Sequence, residues 1–295
     1  MSVLGHIRDL PDLPVLPQIL LQVQSIAGSD EGDARKLSHI IVRDPSLASK
    51  VLHVANSALF KASPHKVSSI QLAVSRLGFN EVRNLVIAMS LIRVFPSSFK
   101  NLDHIAFWRH SLMAAHLAQC IAQASAARFT GDGVSQCYTA GLLHDIGILI
   151  YDQFFHEEFG KIVRNAFDTE VSFLASEQEL FPKEGHAFVG GVLGELWKLE
   201  EAVTAGIRYH HDPAGAPEKF RSIACAIFAA EFLLCNGALG SFEGTMAGNL
   251  DTASAAFSIA PERWAGFLGR AQQEADRCSM LVSAVHDQKD ALRLV

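Results

Sequence analysis

The chain lacks what would mark it as a secreted or membrane-spanning protein. Its five cysteines, Cys120, Cys137, Cys225, Cys235 and Cys278, are odd in number, and no two form a CxxC pair. That excludes a disulfide framework and predicts buried, reduced thiols inside a cell. Long apolar runs are missing too. The most apolar stretch, Ile223–Cys235, is interrupted by Glu231 and is too short to cross a bilayer. The opening MSVLGHIRDLPDLP holds no apolar core of the signal-peptide kind. These absences predict no membrane contact and a cytoplasmic location. There is no excess of positive charge: the formal net charge is -6, which argues against a dedicated nucleic-acid binder. Alternation of β-branched residues never persists, so strands are not expected.

What is present is abundant apolar surface at helical spacing. Hydrophobic residues make up 49% of the 295 positions and charged ones 19%, a globular balance. At ~150 residues per domain, the length suits one large domain or two closely packed subdomains. Apolar residues recur three and four apart almost everywhere, which predicts an all-α fold. Three prolines in Leu10–Pro17 hold the entry segment out of a helix until Pro17, which suits a first turn. Further helices are expected from Pro17 to a stop at Gly28-Ser29-Asp30 and from about Ala34 to Val42. Another follows Asp44-Pro45, where Asp is the N-cap and Pro the first helical residue. Ser68-Ser69 opens one that Gly78 closes, and Asn80 starts a very apolar one. Pro96-Ser97-Ser98 marks a boundary. The expected organisation is an N-terminal helical bundle (1–96) packed on a helical subdomain (97–235), then a Gly-rich flexible connector and a C-terminal helix (236–295). That last helix, starting at Pro261, carries a stripe of Trp264, Phe267, Leu268, Ala271, Ala275, Cys278, Val282 and Val285. The stripe either packs back on its own domain or joins a second copy or a partner.

Chemistry concentrates between His110 and Glu231. In Gly141–Ile150 six of ten residues are Leu or Ile, which reads as one buried helix carrying His144 and Asp145. A buried carboxylate needs a partner, either a metal ion or another ionisable side chain. His110 lies in a helix opening at Trp108, His186 at a Gly-flanked helix start, His210 and His211 at a helix end, and Glu231 inside the apolar run. Such a mixed imidazole and carboxylate set suits Fe, Mn or Zn rather than Mg or Ca. Asn56 and Ser57 fall at a helix end, where they either cap backbone groups or contact a ligand or partner. Arg43, Lys50, Lys61, Lys66, Arg76 and Arg83 read as a solvated basic face.

These motifs, in this order, resemble the HDOD family, a signalling relative of the HD and HD-GYP metal-dependent phosphohydrolases. The likeness runs over residues 10–235 and rests on Leu10-Pro11-x-Leu13-Pro14, Asp44-Pro45-x-Leu47, Asn56-Ser57-Ala58, Ala73-Val74-x-x-Leu77-Gly78, Trp108-x-His110-Ser111, Gly141–Gly147, Gly185-His186-x-x-x-Gly190 and His210–Pro213. The resemblance implies an all-α fold, a bacterial setting and a role in signal transduction. It places His110, His144, Asp145 and Glu231 where an HD site takes one metal, and His186, His210 and His211 where two-metal relatives take extra ligands.

Three departures bear on activity. Where the two-metal pattern has a Glu one turn before the first His, this chain has Ala106; where Lys follows HD-x-G, it has Ile148; and Glu231 replaces the closing Asp, the GYP motif being absent. Losing one donor to a developing anion commonly costs ~3–4 kcal/mol of barrier. Arg208 and Lys183 are the cations that would have to replace it. Two readings follow. One is a regulatory module that binds a signalling protein or a nucleotide second messenger, alone or as a homodimer, with catalysis by His144 and Asp145 lost and the site holding one or two ions or none. The other is a metal-dependent phosphohydrolase acting on a nucleotide or cyclic dinucleotide.

Overall fold

The computed structural model describes residues 7, 13–26, 31–58, 60, 66–95, 102–129, 131–237, 246 and 249–291. Among these residues the regular structure is all helical, with short 3-10 turns and no strand. The chain divides into two compact units, Pro14–Ser97 with Asp276–Val295, and Ser98–Ala275 with Met1–Leu13.

In the first unit, α1 (Gln18–Gln24), α2 (Glu31–Val42), α3 (Pro45–Asn56), α4 (Ile70–Leu77) and α5 (Phe79–Val94) pack around a core that includes Leu20, Leu37, Val51, Ala73, Val86 and Met89. Local chemistry sets their ends. Asp44 caps α3, its Oδ1 accepting from the Leu47 N–H at 3.0 Å with Pro45 in the first turn. Ser69 caps α4 through Leu72 N–H. Gly78 ends α4 at φ 90°, a backbone angle that side chains disfavour, and α5 begins one residue later at Phe79 rather than at Asn80. α1 stops at Gln24, with Ser25 as its cap. The expected stop at Gly28-Ser29-Asp30 lies outside the described residues.

The basic face expected from sequence is not wholly solvated. Lys50 and Arg83 are buried, Lys50 donating to the Val285 carbonyl at 3.2 Å and Arg83 lying over the Phe79 ring. Long aliphatic stems let both cations cross apolar ground to reach a partner. Lys61 lies outside the described residues.

The second unit carries α6 (His104–Ala124), α7 (Gly133–Leu143), α8 (Ile146–Phe154), α9 (His156–Thr169), α10 (Phe173–Leu180), α11 (His186–Leu196), α12 (Glu201–Tyr209), α13 (Arg221–Asn236) and α14 (Asp251–Phe257). α6 packs along α7 and α13, α11 lies against α8 and α12, and α12 also packs on α7 and α13. The helix containing His110 starts four residues before Trp108, because Asp103 Oδ1 accepts from the N–H groups of Ile105 and Ala106. Within the expected flexible connector, Asp251–Phe257 forms α14 instead, with Phe257 buried and stacked on Phe129. The glycines at 240, 244 and 248 are outside the described residues.

α15 (Trp264–Ala291) follows a 3-10 turn at Pro261–Arg263. Its residues to Ala275 belong to the second unit and those from Asp276 to the first. Trp264, Phe267, Ala271, Cys278, Val282 and Val285 of the expected stripe are buried by the chain itself, while Leu268 and Ala275 are partly covered.

Candidate metal centre

All ten residues from Gly141 to Ile150 are buried, but they are not one helix. α7 ends at Leu143 and α8 begins at Ile146, so the His144-Asp145 pair sits in a break between them. Asp145 adopts φ -94° and ψ 10°, the sparsely populated bridge conformation. The break turns two neighbouring side chains toward one point, which continuous helical geometry would not do. The start of α8 passes so close to α11 that a Cβ on Gly147 would collide with the His186 carbonyl.

Four other stretches deliver side chains to the same place. His110 comes from α6, His186 is the first residue of α11, His210 is the C-cap of α12 with His211 following it, and Glu231 lies on α13. Asp145 is the hub. Its Oδ2 lies 3.1 Å from His144 Nε2 and 3.6 Å from His110 Nε2, and its Oδ1 lies 3.4 Å from His186 Nε2 and 3.6 Å from His210 Nε2. Glu231 Oε2 is 2.9 Å from His110 Nε2 and 3.1 Å from His144 Nε2, and its Oε1 accepts from the Cys235 thiol at 2.8 Å. His186 Nε2 is 3.2 Å from His210 Nε2 and 3.1 Å from His211 Nε2. His144, His186, His210 and Glu231 have no solvent exposure, and His211 alone among the donors is only half-buried.

The donor set fits a cation. His144 Nδ1 donates to the Gly141 carbonyl at 2.7 Å and His210 Nδ1 to the Ile207 carbonyl at 2.6 Å. His186 Nδ1 donates to a carboxylate oxygen of Glu177 at 2.8 Å. With Nδ1 committed as donor on each ring, a neutral imidazole presents its Nε2 lone pair to the centre. His186 and His210 then face each other with two lone pairs and no hydrogen between them, an arrangement that calls for a positive ion. Asp145 Oδ1 is likewise buried without a hydrogen-bond donor among the described residues. Two overlapping groups emerge: Asp145, His186, His210 and His211, and His110, His144 and Asp145, each with donor atoms within 4.8 Å of one another.

Electrostatics divides the two halves. Burial disfavours a charged His144, but the carboxylates of Asp145 and Glu231 outweigh it and hold the imidazole well above its usual range. His110 is raised in the same way, burial being overcome chiefly by Glu231. His210 moves well below its usual range, through burial and then the neighbouring His211, His144 and His186 rings. Burial would raise Asp145 and Glu231, yet the imidazoles around them keep both well below the carboxylate range. Protonation is thus favoured on the His110 half and disfavoured on His210, which keeps its lone pair available for a ligand role.

The remaining sequence candidates lie elsewhere. Asn56 Nδ2 donates to the carbonyls of Leu52 at 2.7 Å and Val67 at 2.8 Å, and its Oδ1 accepts from Val67 N–H, so it ties α3 to the segment entering α4. Ser57 caps α3, its Oγ buried without a hydrogen-bond partner among the described residues. Arg208 is paired with Glu195 at 2.7 Å and lies over the Phe188 ring, and Lys183 is exposed, so neither occupies the place of the missing Lys. Ile148 is fully buried. Sequence reasoning missed Glu177, a buried carboxylate on α10. No local signal marked it: Phe173 and Glu177, four apart, share a helix face, but the fold decides that this face is buried.

A helical scaffold that gathers imidazoles and carboxylates from separate helices around a His-Asp pair defines an HD-type protein. The HDOD domain profile matches residues 13–213, and the chain belongs to the HDOD family. An uncharacterized protein of Treponema pallidum (strain Nichols) is 25% identical over 227 residues, covering 76% of this chain; the chain spans 42% of that relative's length. The solved structure of an HDOD domain protein of unknown function from Geobacter sulfurreducens matches with TM-score 0.79 and 24% identity, covering 95% of this chain and 96% of the other. A structure from Marinobacter aquaeolei VT8, described as a signal transduction protein, matches with TM-score 0.78 and 23% identity over 95% of this chain and 61% of its own. At these identities the likeness establishes the fold.

Proposed function

We propose that this chain is a cytoplasmic regulatory HDOD module. Its buried centre holds one or two transition-metal ions, from Fe, Mn or Zn, and its output is the binding of a signalling protein or a nucleotide second messenger rather than substrate turnover. The observation that carries this reading is the deep burial of a nearly complete donor set. His110, His144, Asp145 and Glu231 would hold one ion and Asp145, His186, His210 and His211 a second, yet only His211 is appreciably open to solvent. The position where the HD-GYP pattern carries a Lys is Ile148, with no exposure, and Arg208 is taken up by Glu195. A bound metal would polarise a phosphoryl oxygen and lower the pKa of a bound water. Among the described residues no other cation replaces that Lys, a deficit of ~3–4 kcal/mol or ~10²–10³ in rate.

Arg208 supports a ligand-binding role outside the centre. With Thr204, Tyr209, Lys219, Phe220 and Glu195 it lines an open cleft of about 430 Å³, within the usual range for small-molecule sites. No helix among the described residues is long and apolar enough to cross a membrane.

The alternative, a metal-dependent phosphohydrolase acting on a nucleotide or cyclic dinucleotide, is favoured by retention of nearly the whole His/Asp series. Elemental analysis of purified protein combined with a phosphodiester and nucleotide screen separates the two. The expected result is stoichiometric metal with no turnover in added Mn or Fe. Turnover that disappears in His144→Ala and Asp145→Ala would establish the hydrolase and sink the regulatory reading.

A further inference from the structure

We propose that Glu177 is the positioning residue of the centre, clamping His186 at two points so that its Nε2 lone pair is presented to Asp145, His210 and His211. Glu177 lies on α10, outside every motif that marks the family resemblance, and is 1% exposed. Its Oε1 accepts from the backbone N–H of His186 at 2.8 Å, and its Oε2 accepts from His186 Nδ1 at 2.8 Å. One carboxylate thus fixes both where α11 begins and how the ring of its first residue is turned. A hydrogen bond to one ring nitrogen decides which nitrogen keeps the lone pair. With the proton held on Nδ1, the lone pair is on Nε2, 3.4 Å from Asp145 Oδ1.

Two further observations tie Glu177 to this task. A Cβ at residue 185 would stand 2.8 Å from Glu177 Oε2, so glycine at the α11 N-cap lets the carboxylate sit where it does without displacement. Among the described residues Glu177 pairs with no lysine or arginine; its hydrogen-bond partner is His186. A buried carboxylate without a cationic partner is costly. Positive charge placed on the far side of the His186 ring would offset that cost, which makes the Glu177–His186 pair a carboxylate–imidazole relay to a cation. The metal-affinity part of this inference rests on the metal-centre reading above; the tautomer part does not.

The test uses full-length wild type, Glu177→Ala and Glu177→Gln. Imidazole ¹⁵N NMR of the metal-free protein reads the His186 tautomer, and Co(II) titration reads affinity. In wild type the His186 proton is expected on Nδ1. In Glu177→Ala it should move wholly or partly to Nε2, and Co(II) affinity should fall by about 10–100-fold. Glu177→Gln, whose amide oxygen can replace one of the two acceptors, should fall between them, and it carries the test if Glu177→Ala does not fold. A tautomer unchanged in both variants, with Co(II) affinity within about twofold of wild type, would overturn the proposal. Should wild type take up no Co(II) while the tautomer still depends on Glu177, the metal reading fails and the clamp stands.

Discussion

Asp145 contributes one carboxylate oxygen to the His110–His144 side and the other to the His186–His210 side. Replacing it by Asn keeps the shape but removes the charge both halves share, so Asp145→Asn is expected to weaken metal binding more than about 100-fold, beyond the effect of losing an outer-shell partner. Equilibrium titration with Zn or Mn checks this, and near-normal affinity would contradict the shared-hub geometry. Protons compete for the same positions. His110 and His144 are held above their ordinary range by the neighbouring carboxylates, which favours protonated imidazoles there when no metal is bound. Metal uptake competes with protons on these rings, so affinity should rise with pH and fall as pH drops. Titrations in buffers of different ionisation enthalpy count the protons released; a pH-independent affinity would contradict the assignment.

At the scale of elements, the centre depends on close passage of helices. Gly147→Ala forces a methyl group onto the His186 carbonyl and should cost about 1–3 kcal/mol or more, with loss of metal affinity as α8 and α11 separate. Urea midpoints with and without metal measure both. The α3 cap, which belongs to the other unit, is an independent control. Partial burial pushes Asp44 up, but the Leu47 N–H, the Arg93 guanidinium and the Ser46 N–H outweigh it and leave it below its ordinary value. A carboxylate lowered by folding stabilises above its unfolded pKa, and that contribution fades as pH falls through the folded value. Asp44→Ala should therefore cost about 1 kcal/mol at neutral pH and less in acid, with metal binding unchanged. Thermal melts at the two pH values decide it. The cap itself was legible in sequence because Asp-Pro acts within one turn. The break at His144-Asp145 was not: six Leu and Ile in ten residues read as one helix, and what bends the chain there is packing against α11, over forty residues away.

For the molecule as a whole, the C-terminal helix is shared between the two units, and its last turns belong with the N-terminal helices. Val285 accepts the Lys50 amine, and Arg277 lies over the Phe60 ring. Deleting residues 276–295 removes the buried Leu281, Val282 and Val285 and leaves Lys50 without that acceptor. At ~1.5–3 kcal/mol per apolar side chain, the N-terminal helices should lose on the order of 5 kcal/mol. Hydrogen exchange in α3 and α5 is the readout, and unchanged protection would refute the coupling.

The sequence alone determined the all-α class, the local caps and the set of candidate donors, because periodicity, capping and the ordered His-Asp motifs are written in short stretches of chain. Tertiary structure decided which donors share Asp145, where the His-Asp helix breaks, and that Glu177 orients His186. Those outcomes depend on close contacts between helices far apart in the chain, and no local pattern of residue types encodes such distances.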